Sequence, residues 1–202
     1  MSSSGGKSDD MSDNVTDITD SDRLVAEIGR LRAQIAQLES RVEQLDVLAH
    51  QDTLVSLPNR RGFMRELERL VDRARRYEES SALLYVDLDG LKMINDTFGH
   101  RAGDEALIQV AGLLAGGVRR SDVVARIGGD EFAVLLENAT DGSARETAVR
   151  LEDLICDCEF THDGDALPLS VAIGVAMIDG GEEANAVMAR ADEEMYRRKA
   201  AA

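Results

Sequence analysis

The sequence predicts an α+β fold in which helices cover a largely antiparallel sheet, preceded by a long helix that pairs with a second copy of itself. Three observations predict it. Leu24, Ile28, Leu31, Ile35, Leu38, Val42 and Leu45 recur four and three apart, a heptad seam. After that seam, helical and strand periodicities follow one another as α-β-α-β-β-α-β-α. Between two of those strands lies Arg126-Ile-Gly-Gly-Asp-Glu-Phe132, a tight turn that sets two glycines beside two acids.

Composition limits what such a fold can do. The 202 residues are 44% hydrophobic and 31% charged, enough for one domain and an extension. Seven Met, four Phe, three Tyr and no Trp imply an aliphatic core. A formal charge of −16 argues against nucleic acid and anionic membrane as partners, because both need clustered Lys and Arg. No apolar run approaches the roughly 20 residues of a membrane span, and no signal-peptide core opens the chain, so a cytoplasmic location is expected. Cys156, Cys158 and His162 form a poor zinc pattern and read as two reduced thiols and an unrelated histidine.

Residues 1–22 hold Asp9, Asp10, Asp13, Asp17, Asp20 and Asp22 with little to bury, and read as a disordered acidic tail. Residues 23–50 form the coiled-coil helix. Ile28, Ile35 and Val42 at a, with leucines at d, favour a parallel two-stranded coil, and Glu27 would face Arg32, and Arg41 face Asp46, of the partner copy. Residues 51–202 form the globular domain. Its connector, 52–60, contains Pro58 and Asn59. A helix follows over 61–79 with Arg69, Arg73 and Arg76 on an exposed basic face, then a buried strand over 82–86 ending in Asp87-Leu-Asp89. Helical spacing returns over 91–98 and 103–118, the hairpin strands are 123–127 and 132–136, and a helix (143–158), a strand (169–178) and a helix (184–199) complete the order.

Acids stand at two strand ends, Asp87 at one and Asp130 with Glu131 at the other. If the strands are neighbours, the carboxylates converge, and hard oxygens without a histidine cluster suit Mg²⁺ on nucleotide phosphates. Gly128 and Gly129 lack the Cβ atoms that would hold a ligand away from the backbone. Lys92 can supply a phosphate cation, the amides of Gly90 and Leu91 can approach phosphate oxygens, and Asn95 with Asp104 can read a purine edge.

Asp87-Leu-Asp-Gly-Leu-Lys92, Ile94-Asn-Asp-Thr-Phe-Gly-His100, Gly103-Asp104, Arg126-Ile-Gly-Gly-Asp-Glu-Phe132, Ser170-Val-Ala-Ile-Gly174 and Ala191-Asp192 to Tyr196 together resemble the GGDEF domain of diguanylate cyclases, from about Asp52 onward. The resemblance implies a nucleotidyl-cyclase-like palm with a ferredoxin-like sheet, and condensation of two GTP to cyclic di-GMP and two pyrophosphates across a homodimer. It further implies that Asp87, the Leu88 carbonyl and Glu131 bind Mg²⁺ or Mn²⁺, and that Asp130 binds metal or acts as base on the attacking 3′-hydroxyl. By the same resemblance Asn95 and Asp104 bind guanine, Lys92 and Lys199 contact phosphate, and Arg119 with Asp122 form an inhibitory product site. Three departures accompany it. Val55-Ser56 replace a usual Thr-Gly, Leu91 replaces a usual Phe, and no Arg stands four residues after Lys199, which would weaken triphosphate binding. The alternative is a weakly active or inactive domain of this kind that serves as a receptor for GTP or cyclic di-GMP or as an interaction module.

Overall fold

The computed structural model describes residues 12–77 and 79–201. Its contacts divide the chain after Val47. Helix α1 runs from Ser12 to His50. It therefore begins inside the stretch expected to be a disordered tail, of which residues 1–11 lie outside the described residues. Extending an existing helix adds one hydrogen bond per residue fixed, whereas only nucleation is costly, so the helix formed by the heptads propagates into the polar segment before it. In the single chain the seam residues are exposed, Ile35 by 55% and Val42 by 65%. Glu27 pairs within the helix with Arg30.

After α1 come α2 (Arg60–Tyr77), β1 (Ser81–Leu88), α3 (Leu91–Phe98), α4 (His100–Gly116), β2 (Val123–Arg126) and β3 (Glu131–Leu136). The chain continues through α5 (Asp141–Cys156), a small hairpin of β4 (Thr161–His162) and β5 (Asp165–Ala166), β6 (Val171–Ile178) and α6 (Ala184–Ala201). The main sheet has the order β2-β3-β1-β6, antiparallel at every pairing, as expected for this α+β class. Strand β1 is central and buried on both faces, so alternate residues enter different cores. Ala82, Leu84, Val86 and Leu88 pack with residues of α3, α4 and α5. Leu83 and Tyr85 pack with Phe63, Leu67 and Leu70 of α2 and Val187, Ala191 and Met195 of α6. Asp87 continues the Leu83–Tyr85 row and so emerges beside the end of α6.

Helix limits differ from the periodicity where caps intervene. Helix α5 starts at Asp141 because Thr140 and Ser143 form a reciprocal capping box. The β4–β5 hairpin was absent from the periodicity reading, since strands of two residues have no period. Its turn nevertheless has an Asp-Gly signature, with Asp163 at φ 50° and Gly164 at φ 93°. It buries His162, whose Nδ1 lies 2.7 Å from Glu105 of α4. The expected basic face of α2 is in part an ion-pair network: Arg69 and Arg73 both reach Glu137, and Arg73 also binds Glu79. No helix among the described residues is long and apolar enough to cross a membrane.

The connector closes on itself. Asp52 N–H donates to Leu57 O at 2.7 Å, Asn59 N–H to His50 O at 2.9 Å, and Gln51 bridges Pro58. Asn59 is the hub: its amide donates to Ala49 O and Gln51 O, and its Oδ1 accepts from Arg61 and Gly62 N–H at the start of α2. Asp52 accepts from Leu54 and Val55 N–H and faces Arg126. Burial raises its pKa, but those amides and the guanidinium prevail and hold the carboxyl below its ordinary value. Within this loop Ser56 has φ 54°, the left-handed region. A left-handed residue with a Cβ costs about 1–2 kcal/mol, which explains why glycine suits the position that Ser56 fills. Ser56→Gly is expected to stabilise the domain by about 0.5–1 kcal/mol after glycine's extra chain entropy is subtracted, raising Tm by about 1–4 °C. A calorimetric melt checks this, and an unchanged or lower Tm would contradict the strain.

Candidate active site

Strand pairing brings the separated acids together. Asp87 is directly opposite Glu131 in the β1–β3 ladder, and the ladder continues as Leu88 N–H donates to Asp130 O at 2.9 Å. Directly opposed residues share a face, so both carboxylates lie on the side of the sheet covered by α2 and α6. Asp130 belongs to the turn just before β3. That turn is closed by Ile127 and Gly128 N–H, which both donate to Glu131 O. Arg126 braces it from outside, its Nη2 donating to Gly129 O at 2.7 Å while Nη1 faces Asp52 of the connector. The hairpin and the connector are thus parts of one bonded assembly.

Glu131 is hydrogen-bonded at one oxygen of its carboxylate and lies over a glycine with the other. Oε1 accepts from the Tyr85 hydroxyl at 2.7 Å, and Oε2 lies over Gly128, where an added Cβ would come within 2.0 Å of it. Tyr85 is buried, and burial first, then the hydrogen bond and charge of Glu131, push its phenol well above the ordinary value, so it remains a proton donor. Sequence reasoning missed Tyr85 because a tyrosine inside an apolar strand reads as core. Only its position, two residues before Asp87 and diagonal to Glu131, could have pointed to it.

Asp89 is fixed by Ser170, just before β6: its N–H donates to Ser170 O and its Oδ2 accepts from Ser170 Oγ, both at 2.9 Å. Lys199, from the last turn of α6, places its ammonium on Asp87 and 3.0 Å from Asp89 Oδ1. Burial opposes the charge, but both carboxylates outweigh it and raise the lysine's pKa. Helix α6 reaches this place because β6 has no side chain at Gly174, where a Cβ would lie 2.1 Å from Ala191 O. The contact of Lys199 with Asp87 spans 112 residues of sequence. In the structure the lysine's ammonium neutralises Asp87 and Asp89.

Gly90, at φ 70°, turns the chain from β1 into α3, whose open N-terminal amides lie beside Lys92. Leu91 is buried in the core, and Lys92 is exposed. Asn95 packs against Gly103 of α4, where a Cβ would fall 2.1 Å from Asn95 Oδ1, and the exposed Asp104 follows. The absent side chain at Gly103 thus leaves room for the Asn95 amide against α4.

The positive charge of Lys199 between Asp87 and Asp89 marks a spot where a cation is stabilised, and the surrounding donors are hard oxygens, so the residues fit Mg²⁺ or Mn²⁺. Among the described residues no three Asp, Glu, His or Cys side chains are grouped closely enough to enclose an ion alone. Such a site suits Mg²⁺, which commonly takes one or two carboxylates and fills its octahedron with water and substrate phosphate.

Arg119 and Asp122 occupy the turn before β2, 9 residues or fewer from Gly128. The Asp122 carboxylate is already engaged, accepting from Arg119 N–H at 2.9 Å and Glu137 N–H at 3.2 Å. Both residues line a cavity of about 510 Å³ together with Asn138 and Arg150. Arg150, in the middle of α5, was not singled out from the sequence, where it is one more charge on an exposed helical face.

A family model described as diguanylate cyclase, GGDEF domain, matches residues 49–202. Diguanylate cyclase DgcP of Pseudomonas aeruginosa is 39% identical over 150 residues, which are 74% of this chain and 22% of that protein. Diguanylate cyclase TpbB of the same species is 40% identical over 153 residues, 73% of this chain and 34% of that protein. The chain thus spans about a fifth to a third of the length of these curated relatives. Among solved structures, the coiled coil and GGDEF domain of DgcB from Caulobacter crescentus, in complex with c-di-GMP, superposes with a TM-score of 0.82 at 27% identity, covering 88% of this chain and 95% of that one. The GGDEF domain of Pseudomonas aeruginosa TpbB gives 0.71 at 39% identity, covering 76% and 90%.

Proposed function

Because the chain belongs to the GGDEF family of diguanylate cyclases, we propose that it condenses two GTP into cyclic di-GMP and two pyrophosphates, working as a homodimer through helix α1. The observation that carries this reading is the direct pairing of Asp87 with Glu131 next to the Gly128–Gly129 turn. In each of two steps a ribose 3′-hydroxyl of one GTP attacks the α-phosphate of the other, a P–O bond forms, and pyrophosphate leaves. Asp87, the Leu88 carbonyl and Glu131, with Asp130 as a further candidate, would hold Mg²⁺ or Mn²⁺, which would supply charge neutralisation on the reacting phosphates.

The remaining work falls to the chain. Asn95 and Asp104 accept and donate along the guanine edge, a carboxylate being the natural acceptor for guanine N–H groups. Gly128 and Gly129 admit the nucleotide close to the backbone, while Gly90, Leu91 and Lys92 receive phosphate at the start of α3. Lys199 adds a second cation from α6. Asp130 takes the hydroxyl proton or supports the metal. Each domain offers one nucleotide, so two must face each other, and the exposed a and d residues of α1 are the surface proposed to bring them together. An intracellular nucleotide substrate makes the cytoplasm the proposed place of action.

Incubation with GTP and Mg²⁺, read by nucleotide chromatography beside light scattering, tests the proposal. Cyclic di-GMP from a dimer is expected; a monomer at micromolar concentration, or GTP left intact, would refute the corresponding half.

The cavity at Arg119 is proposed to bind the product. Arg119 and Arg150 line it, and a guanidinium is suited to stacking on guanine and to paired hydrogen bonds with phosphate, whereas Asp122 chiefly shapes the turn. Arg119→Ala or Arg150→Ala is expected to weaken inhibition by added cyclic di-GMP at least about 10-fold, in line with loss of a charge-assisted hydrogen bond, with the initial rate unchanged. Equal inhibition of parent and both variants would remove the cavity from consideration.

A further inference from the structure

Resting on the cyclase reading, we infer that Tyr85 is a positioning residue for the metal-binding carboxylate of Glu131. The two side chains meet diagonally across the β1–β3 ladder, in which Tyr85 pairs with Ala133 and Asp87 with Glu131. Tyr85 OH donates to Glu131 Oε1 at 2.7 Å, a short charge-assisted bond from a side chain that is only 6% exposed. Its ring is wedged into the core beneath α2 and α6, so the hydroxyl has little freedom to follow a moving partner.

The consequence lies in the other oxygen. With Oε1 committed to the phenol, the carboxylate plane is set, and Oε2 rests over Gly128 with no hydrogen bond of its own among the described residues. Oε2 is therefore the atom left to coordinate. The two devices act together: Gly128 keeps the space that a Cβ would fill, and Tyr85 stops the carboxylate from rotating out of it. Groups that hydrogen-bond a ligating carboxylate typically change metal affinity or activity 10–100-fold when removed, because they orient the ligand without touching the ion.

The test is Tyr85→Phe, which keeps the ring and its packing and deletes only the donor. Mn²⁺ binding in the presence of a non-reacting GTP analogue, followed by electron paramagnetic resonance, is expected to weaken about 10–100-fold. In steady-state assays the half-saturating Mg²⁺ should rise by a similar factor while kcat at saturating Mg²⁺ recovers to near the parent value. A melting curve establishes that the variant is folded. Unchanged metal affinity, tighter binding, or a kcat loss that added Mg²⁺ fails to restore would each overturn the inference. Should the parent make no cyclic di-GMP, the cyclase reading fails, and the Mn²⁺ measurement still decides whether Tyr85 supports a metal site.

Discussion

Asp130→Asn and Glu131→Gln are each expected to lower cyclase turnover at least about 100-fold while leaving Tm within about 2 °C of the parent. The rate loss follows from charge. A carboxylate that holds a metal against reacting phosphates contributes several kcal/mol to the transition state, and each 1.4 kcal/mol is a factor of ten. The preserved stability follows from position. Asp130 and Glu131 are only half-buried at the rim of the sheet, and the cores are built from Phe132 onward. Gln at 131 can still accept from Tyr85 through its amide oxygen, so the buried phenol keeps a partner. Product formation and calorimetry on the same samples check both halves. Near-parent turnover in both variants would sink the catalytic assignment, and a collapse in Tm would show these acids to be structural.

Gly174→Ala should have the largest effect on stability. The new Cβ would lie 2.1 Å from Ala191 O and 2.3 Å from Met195 N, and both are backbone atoms of α6 that cannot turn aside. Real contacts of this kind stay above 3.0 Å, so the helix must move off the sheet by about an ångström. Overpacking of this kind costs about 1–3 kcal/mol, occasionally more, and the rigidity of the obstacle puts this case near 3 kcal/mol, a Tm fall of about 6–12 °C. Because α6 also carries Lys199 to Asp87 and Asp89, a raised KM for GTP should accompany the lower Tm. Calorimetry and steady-state kinetics read the two effects. A Tm equal to the parent's would mean that α6 slides freely on β6.

The parts of this site that sequence reasoning found are those whose signal is local. Gly128-Gly129 between two apolar runs is a hairpin by its own chemistry, and hairpin pairing then dictates where Glu131 sits. Asn95 and Gly103 are close in sequence, so their meeting needs only one turn between two helices. Lys199 and Asp87 are a different case: nothing in a lysine near the end of a helix says which acids it will meet, and only the packing of α6 on Gly174 decides it. Tyr85 escaped for a related reason, since its neighbours explain its burial and only the register of β1 against β3 explains its hydroxyl. Ser56 was visible as an unusual residue, yet its left-handed backbone required the closed connector. The β4–β5 strands were too short for periodicity, although their Asp163-Gly164 turn was written plainly.

The knot of hydrogen bonds around Asn59 also bears on how such a domain can be exchanged between proteins. Ala49, His50, Gln51, Asp52 and Leu57 are bonded to one another or to Asn59, and Arg126 ties the same loop to the Gly128–Gly129 turn. The domain thus brings its own entrance, and a foreign helix spliced on before Ala49 would meet a junction already folded by bonds that lie downstream of the splice. The family match begins at residue 49, the point where those bonds begin. A recombination boundary placed there cuts none of these hydrogen bonds, whereas one placed at Arg60 would leave Asn59 and the brace on Arg126 behind.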